Sequence, residues 1–327
     1  MVKKNELITF ALPTYNRANF IDELLAYLFT ELELFEYPIW VCDNCSTDNT
    51  QEIVLSYKEK YNNITYTKHE KNIGADRNAL FIQDNFETKY LWLVGDSVRF
   101  NKEQFYEILE IISKNDYDSI LLNYGNRVNN IASCIYTDRN KLLKDLGWHA
   151  TQYSANIYSK KTFTGTFPDV LSEESSFNFY FRLFDYLGKK EQINVYWYEH
   201  SSFTFSNLQK PNSWHSNIVS IWIKNFTETI LALPISYSLN SKLYCLKSYG
   251  KTHGLFKLKT VISYTIRGYY GPSDIVKYRT HFKLLMPDDW RVYYLLFNIP
   301  KPILSFLGSV KEGVKSIRKS QIPDRKN

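Results

Sequence analysis

The sequence predicts an α/β fold: a mostly parallel sheet flanked by helices, followed by a helical, basic C-terminal region. Three observations carry this. Apolar runs of strand length alternate with stretches of helical periodicity over residues 7–100. The runs at 7–12, 38–41 and 90–94 each lead into a polar turn. After about residue 205 the texture changes to helical segments rich in Leu, Tyr and Lys.

The first run, Leu7 to Leu12, ends at Pro13. Asn19 to Leu34 follows with Phe20, Leu24, Leu25 and Leu28 at helical spacing. Pro38 to Val41 is a second strand, closed by Asp43. A helix starts near Asp48, with Thr47 or Asp48 as its cap and Ile53, Val54 and Tyr57 as its buried face. Ile64 to Thr67 is a third strand and Ala75 to Phe86 a helix. Tyr90 to Val94 is a fourth strand, apolar throughout and therefore central. Alternating strands and helices imply a parallel sheet. Ligands of such sheets bind beyond the carboxyl ends of the strands. That rule selects Pro13–Arg17, Asp43–Asp48 and Gly95–Val98 as a candidate site.

Composition bounds the alternatives. With 44% hydrophobic and 23% charged residues, the chain is ordinary globular material. Four cysteines are too few for a disulfide framework, and Cys42-x-x-Cys45 lacks the second pair that a zinc site needs. No signal-length or membrane-length apolar run occurs, so a cytoplasmic location is expected. Net charge is +6, but residues 241–327 hold 17 Lys/Arg against 5 Asp/Glu, which leaves the remainder acidic. That asymmetry implies an anionic partner near the C-terminus. Membrane lipid, nucleic acid and a charged glycan are the candidates. The basic residues are spread among aliphatics and no nucleic-acid motif accompanies them, which sets nucleic acid aside. Pro302 to Lys319 reads as a basic amphipathic helix, suited either to a bilayer interface or to packing on the protein itself. A nucleotidyltransferase, which shares the sheet type, would show a Gly-rich loop after the first strand; here that turn reads Pro13-Thr-Tyr-Asn-Arg17.

Four segments resemble the motifs of family 2 glycosyltransferases. Phe10-Ala-Leu-Pro-Thr-Tyr-Asn-Arg17 resembles the opening motif, and Val41-Cys-Asp-Asn-Cys-Ser-Thr-Asp-Asn-Thr50 the second. Asn72-Ile-Gly-Ala-Asp-Arg-Asn78 resembles the third, and Leu91-Trp-Leu-Val-Gly-Asp-Ser97 the strand into the acidic motif. The resemblance covers roughly residues 7–100; beyond it, Ser154-Ala-Asn-Ile-Tyr158 looks like an acceptor-side segment of polysaccharide-assembly members. It implies a GT-A catalytic domain over 1–205, with nucleotide-sugar binding in 1–100 and the acceptor side in 101–205. Residues 206–327 would form the helical, basic region.

The resemblance implies an inverting transfer from a nucleotide-sugar donor to a hydroxyl of a lipid-linked or protein-linked bacterial glycan. Pro13, Thr14 and Tyr15 would hold base and ribose, and Arg17 a phosphate. Asp43 could accept from the imide N–H of uracil or thymine, hence a UDP- or dTDP-sugar; as alternatives, Asp43 and Asp48 are turn and cap residues. Asn72, Asp76 and Arg77 would lie near the diphosphate, although a salt bridge also explains the last two. Asp96, with Ser97, would bind Mn²⁺ or Mg²⁺. The family's second carboxylate falls on Val98 here. Three readings follow: Asp96 holds the metal with diphosphate and water, a cation such as Arg99 replaces it, or the enzyme is impaired. In the last case the chain is a sugar-nucleotide- or glycan-binding subunit of a transferase complex. The general base is expected among Glu173 and Glu174, then Asp185 and His149. The two glutamates could instead complement a helix dipole. The basic C-terminal region would hold the protein to the inner face of the plasma membrane.

Overall fold

The computed structural model describes residues 3–163, 176–200, 203–208, 218–269, 271–300 and 302–304. The chain divides into two compact units. The first is Met1–Pro211 with Glu228–Cys245, and the second is Asn212–Thr227 with Leu246–Asn327. No single cut near residue 205 separates them, because the chain returns to the first unit for 228–245.

The first unit opens with a short helix α1 (Lys4–Leu7), then alternates β1 (Ile8–Thr14), α2 (Ala18–Thr30), β2 (Ile39–Asp43) and α3 (Thr50–Lys58). It continues with β3 (Ile64–Lys68), α4 (Ala75–Asn85) and β4 (Tyr90–Leu93). β5 (Val98–Phe100), α5 (Lys102–Lys114), β6 (Ser119–Leu122), β7 (Cys134–Tyr136) and α6 (Arg139–Leu146) come next. β8 (Asn156–Ser159), α7 (Asn178–Lys189), β9 (Val195–Tyr198) and β10 (Phe203–Phe205) follow. Eight strands form one sheet in the order β3-β2-β1-β4-β8-β6-β9-β7. β3, β2, β1 and β4 are mutually parallel, and β6 pairs parallel with β9. β8 and β7 run against their neighbours. β10 pairs antiparallel with β5 in a separate ribbon.

β4 is central and fully buried, which is why its residues read as a continuous apolar run. Trp92 and Phe10 lie against Phe105 of α5, with ring centroids 5.6 and 5.5 Å away. These rings join Val41, Leu24 and Leu28 in one core. α2 stops at Thr30 rather than running to Leu34. Glu33 takes a left-handed φ of 52°, which a helix cannot carry, yet Leu32 and Leu34 stay buried. Their apolar character reports burial, not helix.

The remaining helices are α8 (Phe226–Ala232), α9 (Leu239–Thr252), α10 (Leu258–Ile266), α11 (Pro272–Lys277), α12 (Arg279–Leu285) and α13 (Trp290–Phe297). A π-helical stretch, Val219–Asn225, runs into α8. Of the amphipathic segment at 302–319, residues beyond 304 lie outside the described residues. No helix among the described residues is long and apolar enough to cross a membrane.

Candidate active site

β1, β2 and β4 are neighbours and parallel, so their carboxyl-end turns must meet. Side chains and backbone then join them. Asn44 N–H donates to Thr14 O at 2.8 Å, and Asn16 N–H to Ser46 Oγ at 2.8 Å. Thr47 N–H donates to Asn16 Oδ1 at 2.8 Å, and Ala18 N–H to Asp48 Oδ2 at 3.0 Å. Asn16 and Cys45 both sit at positive φ, 50° and 68°. Non-glycine residues adopt that conformation at a cost, and these bonds hold the two tight turns there.

Asp43 closes the β2 turn. Its Oδ1 accepts from Ser46 N–H at 2.8 Å and its Oδ2 from the Tyr66 hydroxyl at 2.7 Å, and the residue is closed to solvent. Burial and the charges of Asp43 and Asp48 push the Tyr66 phenol well above its usual range, so it stays a donor. α3 begins at Thr50 with Asn49, not Thr47 or Asp48, in the cap position; Asp48 stands one residue before it, and its Oδ1 accepts from Thr50 N–H at 3.1 Å. Burial raises its pKa, but the bonds from Thr50 and Ala18 outweigh this and leave it below the usual carboxylate value. Thr14 is buried, and its hydroxyl has no hydrogen-bond partner among the described residues. Tyr15 stands exposed beside it, and Pro13 is half-buried.

Arg17 links the first turn to the third, with Nε 3.7 Å from Asp96 Oδ2 and its guanidinium 4.8 Å from the Phe20 ring. Both side chains are mostly buried. Gly95 N–H donates to Ser154 Oγ at 2.9 Å, and Trp92 Nε1–H to Ser154 O at 3.0 Å. The 154–158 segment is thereby fastened to the acidic turn. Ser97 is buried, and its carbonyl accepts from Ser206 N–H at 2.8 Å.

Val98 is buried within the apolar core on β5, so its position does not offer a second ligand. Arg99 does not stand in for a metal. Its Nη1 donates to the carbonyls of Asp96 and Val98 at 3.1 and 2.8 Å, and its Nη2 lies 3.0 Å from Glu23 Oε1. It braces the turn from behind. Asp96 is the carboxylate that faces Arg17, and among the described residues no group of three or more His, Cys, Asp or Glu could hold a metal. One carboxylate still fits the smallest protein share of a Mg²⁺ or Mn²⁺ site, since nucleotide phosphates and water supply the other ligands.

The third motif divides. Asn72 Oδ1 accepts from Asn44 Nδ2–H and Gly74 N–H, at 2.8 and 2.9 Å, and so ties this loop to the β2 turn. Gly74 has φ of 88°, open to glycine without strain. Asn78 is structural: its Oδ1 accepts from the Cys42 thiol and from His69 Nε2, both at 2.9 Å. Burial pushes the Cys42 thiol up to about 12, and all four cysteines are free. Asp76 turns onto the start of α7, accepting from Phe179 N–H at 3.4 Å. Burial raises its pKa to about 6, against opposing bonds from Asn178 and Phe179. Arg77 is exposed.

Two base candidates are corrected. His149 is fully buried, with Nε2 2.8 Å from Leu122 O and 3.2 Å from Tyr124 N. Burial lowers its pKa to about 4, which leaves it a neutral anchor closed to solvent. Asp185 is buried on α7 and paired with Lys189. Glu173 and Glu174 lie outside the described residues.

An aromatic wall went unread in the sequence. Tyr124 packs 5.0 Å from Phe203 and 5.6 Å from the exposed Phe205. Burial, with the nearby charge of Asp96 and against that of Arg127, raises the Tyr124 phenol to about 12. Phe205 registers with Val98, two residues past Asp96. Its signal was weak: three residues of strand far along the chain. A cleft of about 420 Å³ opens beside the site, between Arg17, Phe20, Asp48 and Ile53. Another, of about 510 Å³ around Glu6, Thr9, Trp40 and Thr88, lies at the opposite, amino ends of the strands.

Fold and turns together define an α/β protein whose polar turns gather at the carboxyl ends of a mostly parallel sheet, the place where such sheets generally take their ligands. Residues 9–183 match the family described as glycosyl transferase family 2. That is more than half of the 327 residues, and the chain belongs to this family. Over 100 residues it is 36% identical to the abequosyltransferase RfbV of Salmonella typhimurium, a stretch covering 30% of each chain. Over 114 residues it is 32% identical to the poly(ribitol-phosphate) beta-N-acetylglucosaminyltransferase TarS of Staphylococcus aureus, covering 34% of this chain and 19% of TarS. The matched stretches thus span less than a third of these relatives' length. The fold is GT-A. It resembles residues 1–349 of S. aureus TarS in complex with UDP-GlcNAc at a TM-score of 0.57 and 16% identity, covering 88% of this chain and 86% of that one. It also resembles the mannosyltransferase PcManGT of Pyrobaculum calidifontis, in complex with GDP-Man and Mn²⁺, at 0.52 and 12% identity, covering 93% and 87%.

Proposed function

We propose that this glycosyltransferase moves a sugar, with inversion, from a UDP- or dTDP-sugar onto a hydroxyl of a lipid-linked or protein-linked glycan in bacterial polysaccharide or glycoconjugate synthesis. The observation that carries this is the meeting of three strand-end turns around Asp43, Arg17 and Asp96. The TarS complexes contain UDP-GlcNAc and UDP, in keeping with a uracil donor.

Each group has a task. Thr14 and Tyr15 line the nucleoside side, and Asp43 offers its remaining lone pairs to the base edge. Arg17 presents a cation to the diphosphate. A Mn²⁺ or Mg²⁺ ion held by Asp96, the diphosphate and water would neutralise the departing nucleoside diphosphate. Arg17 beside Asp96 shares that task, so we expect weak metal dependence. The general base, Glu173 or Glu174, takes the proton from the acceptor hydroxyl. The acceptor oxygen then bonds to the anomeric carbon opposite the breaking bond to the diphosphate. The Tyr124–Phe205 wall offers apolar ring faces to the acceptor sugar. The basic C-terminal region keeps the enzyme on the inner face of the plasma membrane, beside a lipid-linked acceptor.

A second reading, an impaired module within a transferase complex, is favoured by the apolar burial of Val98. Calorimetric titration of the purified chain with UDP, dTDP and GDP, with and without Mn²⁺, decides between them. Micromolar UDP or dTDP binding, weakened about a hundredfold in Asp96→Ala together with loss of turnover, is the expected result. No binding to either pyrimidine nucleotide would sink the donor reading. Tight binding with no turnover of any activated sugar would favour the impaired module.

A further inference from the structure

The positive charge of the second unit has a focus. Trp290 opens α13, and three cations approach its ring: Arg279 at 5.1 Å, Lys283 at 5.0 Å and Arg291 at 5.8 Å. Arg279 and Lys283 lie four residues apart on α12, so they share a face. All three are exposed. Among the described residues no carboxylate pairs with any of them. Asp288 is taken by Lys247 at 2.9 Å, and Asp274 accepts from Gly271 N–H. Asp289 is the acidic neighbour of Trp290 in sequence and leaves the cluster strongly positive. Cations collected around one indole ring repel each other and gain from an anion placed among them.

The same helix is reversed in polarity. At the helical repeat, Arg291, Val292, Tyr294 and Leu295 fall on one side of α13 and Phe297 on the other. Phe297 is buried, whereas Val292 is 50% and Leu295 66% exposed. Val276 of α11, which packs against α13, is 66% exposed beside Lys277. Aliphatic side chains thus project next to an aromatic pair and a cation cluster. Nucleic acid would satisfy the cations and leave the aliphatics in water. An anionic bilayer satisfies both: headgroups meet Arg and Lys, Trp and Tyr sit at the interface, and Val and Leu enter the acyl boundary.

We propose that the Trp290 face of α12 and α13, with Arg279, Lys283 and Arg291 around it and Val292 and Leu295 projecting from it, docks this protein on an anionic membrane surface. This deepens the membrane association put forward above and rests on it. It is independent of donor binding in the first unit. It also differs from the segment at 302–319, because every residue it uses is described.

The test is co-sedimentation of the full chain with vesicles of phosphatidylcholine alone or mixed with phosphatidylglycerol. The wild type should bind the mixed vesicles and be weakened by salt. The triple variant Arg279→Gln/Lys283→Gln/Arg291→Gln should bind about a hundredfold less well, roughly fivefold per cation. Val292→Ser/Leu295→Ser should weaken binding about tenfold, and the loss should persist at high salt. UDP titration of each variant reports folding of the donor unit and separates the two readings. Vesicle binding without UDP binding would overturn the donor reading alone. Wild-type indifference to phosphatidylglycerol, undiminished binding by the triple variant, or stronger competition by a single-stranded oligonucleotide than by vesicles would overturn this proposal.

Discussion

At the residue scale, the site is built from short polar side chains that hold one another. Asp43 has one role in the fold and a second that the proposed function assigns to it. It fixes the turn through Ser46 and Tyr66, and it lies where a base edge would be read. Asp43→Asn separates the roles. The amide keeps an acceptor for Ser46 N–H and a polar partner for Tyr66, so stability should fall by about 1–2 kcal/mol at most. UDP affinity should fall tenfold or more if the imide N–H is read, because an amide nitrogen then faces a donor. Unchanged affinity in titration would leave Asp43 a turn residue only. The sequence made Asp43, Arg17 and Asp96 legible because a strand-end turn is a local feature. It did not reveal that Arg99 is tied to the Asp96 carbonyl and to Glu23, or that His149 is buried beside Leu122. Those directions depend on neighbours remote in sequence.

At the element scale, α4 and α7 are joined by Asp76, whose carboxylate accepts from the start of α7. Its pKa is raised from an ordinary 3.8 to about 6, first by burial. In that interval the folded protein binds more protons than the unfolded chain, so stability falls as pH rises through it. Asp76→Asn removes the buried charge and keeps an acceptor. The variant should match the wild type below about pH 4 and exceed it at pH 7 by on the order of 2–3 kcal/mol. Thermal unfolding at the two pH values checks this, and a variant less stable at pH 7 would contradict it. Strands β1, β2 and β4 were legible because each is built on an apolar run, and β3 because Ile64-Thr-Tyr-Thr67 is rich in β-branched and aromatic residues. β5, β7 and β10 were not: each is three residues long, too short for periodicity to register.

At the scale of the whole molecule, the chain builds an acidic-leaning catalytic unit and a basic helical one, and it crosses between them more than once. Gly250 tests the packing inside the second unit. A Cβ there would meet the backbone oxygen of Leu285 at 2.0 Å, a contact that only a shift of α9 or α12 relieves. Gly250→Ala should cost about 1–3 kcal/mol, visible as a lower thermal midpoint. An unchanged midpoint would mean that the two helices are not closely packed at this point.

The sequence by itself determined the alternation of β1 to β4 with their helices, the three strand-end turns, and the charge asymmetry. These follow from local periodicity, turn chemistry and counting. Only the tertiary structure decided that Val98 belongs to the core, that Asp76 serves α7, and that Tyr124 and Phe205 stand together near Asp96. It also decided that Arg279, Lys283 and Arg291 converge on Trp290. The physical reason is common to all of these. A side chain's neighbours are set by sheet order and helix packing, which bring together residues that no short window of sequence contains.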